Sequence, residues 1–182
     1  MIESEEAEKT KTRYLVLHDY GMGGVWWWVW AESPQEIVRE VAEIEVVTAP
    51  EAVLGAETWS LEEVDLSGQD PNPLSILRAK RDAQRGQPGF GALVGRSIVH
   101  LRMPADDEDG VVLFLMEIGW DGRRIRQVEV RPDGSAIRTD AEDWPFNSPF
   151  DLHDPQYASM EIGSDAFEAS WDRARREPDS QG

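Results

Sequence analysis

The chain has 182 residues, 40% of them hydrophobic, which is enough to bury a core in one domain or two tightly packed subdomains. It contains no cysteine, which excludes disulfides and thiol chemistry and removes the commonest ligand of zinc. Its formal net charge of −18 opposes nucleic-acid phosphates and anionic lipid and favours a basic protein partner, and no apolar run approaches the ~18 residues of a membrane span.

Met1 to about Lys11 is a charged leader with nothing to bury, expected to be mobile. It has neither the basic start nor the apolar core of a secretory signal, so a cytoplasmic location is expected. Tyr14 to Ser33 follows and holds four of the eight tryptophans. Tyr14 to Tyr20 and Val25 to Ala31 are rich in β-branched and aromatic residues, and the glycines between them can take positive φ, so the pair reads as a β-hairpin. A period of two puts Trp26, Trp28 and Trp30 on one face of the second strand and Val25, Trp27, Val29 and Ala31 on the other. Neither face is polar, so both need cover, from the protein itself or from a ligand or partner.

Ser33-Pro-Gln-Glu36 reads as a helix start, with Ser33 as N-cap, Pro34 in the first turn and Glu36 at the capping-box position. That helix is expected to run to about Ala42 with Ile37, Val38 and Val41 on its inner face. Ile44 to Thr48 reads as a strand and Pro50 to Glu57 as a short helix. Glu62 to Pro73, dense in proline, glycine, asparagine and aspartate, reads as a surface connection and the boundary between two halves. Pro73 to Arg85 has helical spacing, with Ile76, Ala79 and Ala83 as the inward stripe and Leu77 beside it. Arg78, Arg81 and Arg85 then fall on the opposite, solvated face.

In the second half Ser97 to Met103 reads as a strand, Pro104 to Gly110 as an acidic loop and Val111 to Ile118 as a central strand covered on both faces. Asp-Gly pairs at 121–122 and 133–134 mark turns that join this strand to Arg124–Arg131 and Ser135–Thr139 in an antiparallel meander. Trp144 to Pro155 reads as an irregular segment pinned by Trp144, Phe146 and Phe150. Ser164 caps a last helix with Phe167, Trp171 and Ala174 in one stripe; Pro178 ends it, and a tail follows. The expected fold class is α+β: a β-hairpin/helix/strand half over residues 12–66, a linker and helix over 67–86, and a C-terminal antiparallel β-meander with a closing helix over 87–177.

Leu115-Met-Glu-Ile118, Arg126-Gln-Val-Glu-Val130, Asp133-Gly134, Met160-Glu-Ile162 and Phe167-Glu-Ala-Ser-Trp171 together resemble a family of uncharacterised bacterial domains seen mainly in actinobacteria. The resemblance covers about residues 113–175 and leaves out the tryptophan-rich first half. It implies a β-meander with a closing helix and brings no catalytic residues. Some members look like immunity proteins that bind and neutralise a toxin, so the resemblance implies an immunity-like role.

Chemistry-bearing motifs are few. His18, His100 and His153 are far apart in sequence and form no metal-binding motif, and the acids at 106–109 do not align with a calcium loop. Gly21 to Gly24 precedes a strand rather than a helix, unlike a phosphate cradle. No nucleophile elbow is present, and no cofactor is expected. One candidate ligand site stands out: Tyr14, His18 and Tyr20 share a face of the first strand, and a facing Trp26, Trp28 or Trp30 would complete an aromatic pocket for a planar or cationic ligand. Residues 1 to 65 carry 15 acidic and 4 basic residues, a net of −11. The expectation is a non-enzymatic cytoplasmic interaction protein that presents this acidic half to a basic protein partner. A small-molecule binder or enzyme built around His18 is the alternative.

Overall fold

In the computed structural model, which describes residues 10–176, Thr12–Asp19 (β1) and Gly24–Ala31 (β2) form the expected hairpin. The leader before Thr10, and Pro178 with the tail, lie outside the described residues. Tyr20 N–H donates to the Gly23 carbonyl at 3.1 Å to close the turn, where Gly21 sits at φ +86°, a conformation that suits a residue without Cβ. Ser33 then caps Pro34–Glu40 (α1), its Oγ accepting the Glu36 N–H at 3.1 Å. The Glu36 carboxylate reaches back to the Glu32 N–H at 2.7 Å, one residue before the cap. Glu45–Val47 (β3) and Pro50–Ala56 (α2) follow as expected.

Glu62–Asp65 is not a connection but a fourth strand (β4), parallel to β2, and the sheet runs β3-β1-β2-β4. The turn-forming residues that suggested a boundary begin only after it, and Val64 and Leu66 are core residues. Ser75–Arg85 (α3) completes the first of two compact units, Met1–Arg85, so the chain divides after this helix and not before it.

One face of the hairpin is covered and the other is covered in part. On one, Val16, Trp27 and Val29 pack with Ile37 and Val41 of α1, Val64 of β4, and Leu74 and Leu77 at and within the start of α3. On the other, Leu15 and Trp28 pack with Ala56, Val53 and Val47. Burying one indole removes roughly 200 Å² from water, worth about 5 kcal/mol before ordering entropy is set against it.

α3 is rotated from the expected orientation. Its inward stripe is Leu77, Arg81 and Gln84, which continues from Leu74 just before the helix, whereas Ile76 is 82% exposed and Ala79 and Ala83 face solvent. Arg81 is drawn in because the open carbonyl end of α1 lies there: its guanidinium donates to Val38 O at 2.9 Å, Val41 O at 3.0 Å and Gln84 Oε1 at 2.8 Å. The outer cations are tied to acids nearby: Lys80 to Glu43, Arg85 to Glu40 and Asp82, and Arg78 to Asp70.

The second unit, Gly86–Gly182, holds a five-stranded sheet of order β5-β6-β7-β8-β9: Ile98–Asp107, Gly110–Gly119, Arg124–Val130, Ala136–Asp140 and Arg175–Arg176. The meander expected from the sequence is its centre. The acidic stretch read as a loop from Pro104 is instead the end of β5, paired with β6 until Asp107 meets Gly110. Alternation in that stretch is masked by four successive acids whose side chains need only solvent. Val99, Leu101, Met116 and Ile118 pack one face against Leu93 and Leu152. The other face, with Leu115 and Val128, lies under Phe167 and Trp171 of Ser164–Arg173 (α5), which follows the short Pro155–Ala158 (α4). Gly163, not Ser164, holds the cap position of α5. Phe150 packs in the core and Trp144 lies under the Arg124 guanidinium at 4.5 Å, but Phe146 is exposed and pins nothing. Among the described residues no helix is long and apolar enough to cross a membrane.

Candidate functional site

The ladder of the hairpin pairs Arg13 with Trp30, Leu15 with Trp28 and Leu17 with Trp26, while Tyr14 meets Val29 and His18 meets Val25. Facing residues project from the same side of a sheet, so every pair joins an odd position to an even one. Tyr14 and His18 therefore share their face with Val25, Trp27 and Val29, and the tryptophans 26, 28 and 30 stand on the opposite face. The sequence-derived pocket is not brought together. Tyr14 packs into the α1 side of the core. His18 Nδ1 lies 2.8 Å from the carbonyl of Glu43, a residue held at φ +55°, and its ring is tilted against Tyr20, itself mostly exposed.

The face carrying the tryptophans has a different character. From β1, the Arg13 guanidinium crosses β2, with its carbon 4.2 Å from the centroid of the Trp28 ring. It ends between two carboxylates: Nη2 donates to both oxygens of Glu57 at 2.7 Å and Nη1 to Glu63 Oε1 at 2.9 Å. Lys11, two residues earlier on the same face, reaches Asp65 at 2.5 Å. Trp30 donates its indole N–H to Glu63 at 2.9 Å, and Trp26 meets Trp59 edge-on with centroids 5.5 Å apart. Trp28 is buried, but Trp30 is 37% and Trp59 46% exposed. The Trp30 N–H first, and then Arg13, holds the Glu63 carboxyl below its ordinary range; Lys11 does the same for Asp65. Arg13 of β1 thus lies across an indole of β2 onto carboxylates of β4 and of the loop after α2, and Lys11, just before β1, pairs with a third carboxylate at the end of β4. Such a face can hold positive charge and flat delocalised groups.

A second charged cluster lies in the second unit, under α5. Arg126 makes a fork to Glu117, Nε to Oε1 at 2.8 Å and Nη2 to Oε2 at 2.5 Å, and a second contact to Glu168 at 2.5 Å. His100 Nε2 adds a contact to Glu117 at 3.1 Å, and the guanidinium is stacked on Phe167 and Trp171, each 4.9 Å away. The Arg126 hydrogen bonds hold the carboxyls of both Glu117 and Glu168 below their ordinary range, against the opposing effect of burial. His100, Glu117 and Glu168 have ligand atoms near enough to share a metal ion, but the Arg126 guanidinium already engages both carboxylates, and a divalent ion there would have to displace it. The cluster fastens α5 to the sheet. The sequence placed His100 with no partner because Glu117 and Arg126 lie on other strands and Glu168 on the helix.

No family model, no curated protein and no solved structure matches this chain.

Proposed function

We propose that the protein is a non-enzymatic cytoplasmic interaction protein whose N-terminal unit presents its tryptophan-and-carboxylate face to a basic protein partner. The observation that carries this is the solvent-facing group of Trp30 and Trp59 beside Glu57, Glu63 and Asp65, on the acidic half of a chain of net charge −18. Half-exposed indoles supply contact area at little entropic cost, and the carboxylates steer and select positive charge. Neutralisation of a toxin is the form of that interaction implied by the resemblance over residues 113–175.

Affinity capture with the full chain from a lysate of the source cells, at about 50 mM salt, is expected to retain a basic protein that elutes as salt rises through ~0.5 M. The double substitution Glu57→Gln/Glu63→Gln should weaken that retention. Recovery of no partner, or of an acidic one indifferent to salt, overturns the reading.

A further inference from the structure

We infer that the outer face of the first sheet is a site for arginine side chains of an extended segment of the partner, and that Arg13 holds the place of one of them in the free chain. The inference rests on the proposed function and adds the chemistry read at its surface.

Arg13 shows what the face accepts. A planar guanidinium lies on the Trp28 ring with two carboxylates at its donor edge, an arrangement suited to a fork and poorly suited to a compact ammonium. The Glu57 and Glu63 carboxylates are about half exposed, at 46% and 47%, so the pairs that hold Arg13 are surface pairs that a second guanidinium can replace. The rings on either side of the stack, Trp30 and the Trp26–Trp59 pair, continue the same chemistry. Tryptophans at alternate positions of one strand are roughly 7 Å apart, the spacing of alternate side chains on an extended peptide. Phosphate-bearing or acidic ligands meet Glu57, Glu63 and Asp65, and a purely apolar ligand would strip those carboxylates of solvent without pairing them.

The exchange has an unusual signature. Removing a positive charge from the protein at Arg13 frees the indole and both acids, so it should tighten binding of an arginine peptide beyond what the added negative charge alone would do. The test titrates the full chain, by tryptophan fluorescence and calorimetry, with a hexapeptide of alternating arginine and glycine and with its lysine counterpart. The arginine peptide should bind several-fold tighter than the lysine one. Trp30→Ala and Trp59→Ala should each weaken it several-fold, and Arg13→Gln should tighten it several-fold. Arg131→Gln, which changes the net charge equally but lies in the second unit beside Glu129, should leave it nearly unchanged. Circular-dichroism melts check each variant, and if Arg13→Gln does not fold, Arg13→Lys provides the same comparison with a weaker occupant. Equal affinity for the two peptides, or equal effects of Arg13→Gln and Arg131→Gln, overturns the site. Salt-dependent capture of a basic protein would then still leave the proposed function standing, whereas loss of that capture removes both.

Discussion

A guanidinium at 1% exposure must find acceptors inside the protein, and Arg81 finds them on backbone that α1 cannot satisfy itself. Its donors meet Val38 O and Val41 O, so one side chain of α3 both terminates α1 and fixes the distance between the two helices. Arg81→Leu removes the charge but leaves those carbonyls and the Gln84 amide without these donors. The expected cost is about 3 kcal/mol or more, read from the urea midpoint of the full chain, with Arg81→Lys restoring only part because an ammonium cannot span the same acceptors. A loss below about 1 kcal/mol would show that water takes over the capping. Nothing in the sequence distinguishes Arg81 from Arg78 and Arg85. Charge placed on a helical wheel is read as outward, and the acceptors are main-chain atoms about 40 positions away, which carry no side-chain signal.

At the level of elements, most strands were legible, with β4 and the acidic end of β5 among the exceptions, and facing was not. The hairpin, α1, β3, α2 and the meander follow from local signals: β-branched and aromatic runs, a Ser-Pro helix start, and Asp-Gly turns. Which side of β1 meets which side of β2 depends on a register set by the turn, and one step of register exchanges every side chain between faces. That step separates Tyr14 and His18 from Trp26, Trp28 and Trp30 and replaces them with Arg13, whose part in the face no local pattern announces. The docking of α5 shows the converse, because the stripe of Phe167, Trp171 and Ala174 was plain while the polar fastening beneath it was not. That fastening is sensitive to acid. The Glu117 and Glu168 carboxyls are held below the ordinary glutamate value near 4.5, chiefly by Arg126, so their contribution is fully present above that value and is lost as pH falls through the lower folded values. Near-ultraviolet circular dichroism from Trp171 should therefore hold steady from neutral pH to about 5 and decline below the ordinary glutamate range. In Glu117→Gln the decline should shrink to the part that Glu168 carries through its own contact to Arg126, and the thermal midpoint at neutral pH should already be lower. A Trp171 signal that is unchanged down to about pH 2 would mean that apolar packing alone holds the helix.

Across the whole molecule, the division falls at Arg85 and Gly86, and each unit owns its cores. In the first, one cluster is built on Val16, Trp27, Val29, Ile37 and Leu77 and a second on Leu15, Trp28 and Ala56; in the second, the clusters are built on Leu101, Met116 and Ile118 and on Leu115, Val128 and Phe167. The ion pairs of α3 also close within the first unit, on Glu40, Glu43 and Asp70. A segment with its own apolar core and its own helix caps has what independent folding requires, although at 85 residues the margin is narrow. Residues 1–85 expressed alone should therefore melt in one cooperative transition, with tryptophan emission shifted to the blue of the unfolded chain because Trp27 and Trp28 stay buried. The sheet order argues the same way, since β4, the strand that the composition assigned to a linker, pairs beside β2 and brings Glu63 and Asp65 to the face. A shorter piece ending near residue 66 lacks Leu74, Leu77 and the Arg81 cap, and exposes one side of Trp27 and Val29. It should show red-shifted emission and no cooperative melt, and equal stability of the two pieces would mean that α3 is not needed to complete the first unit.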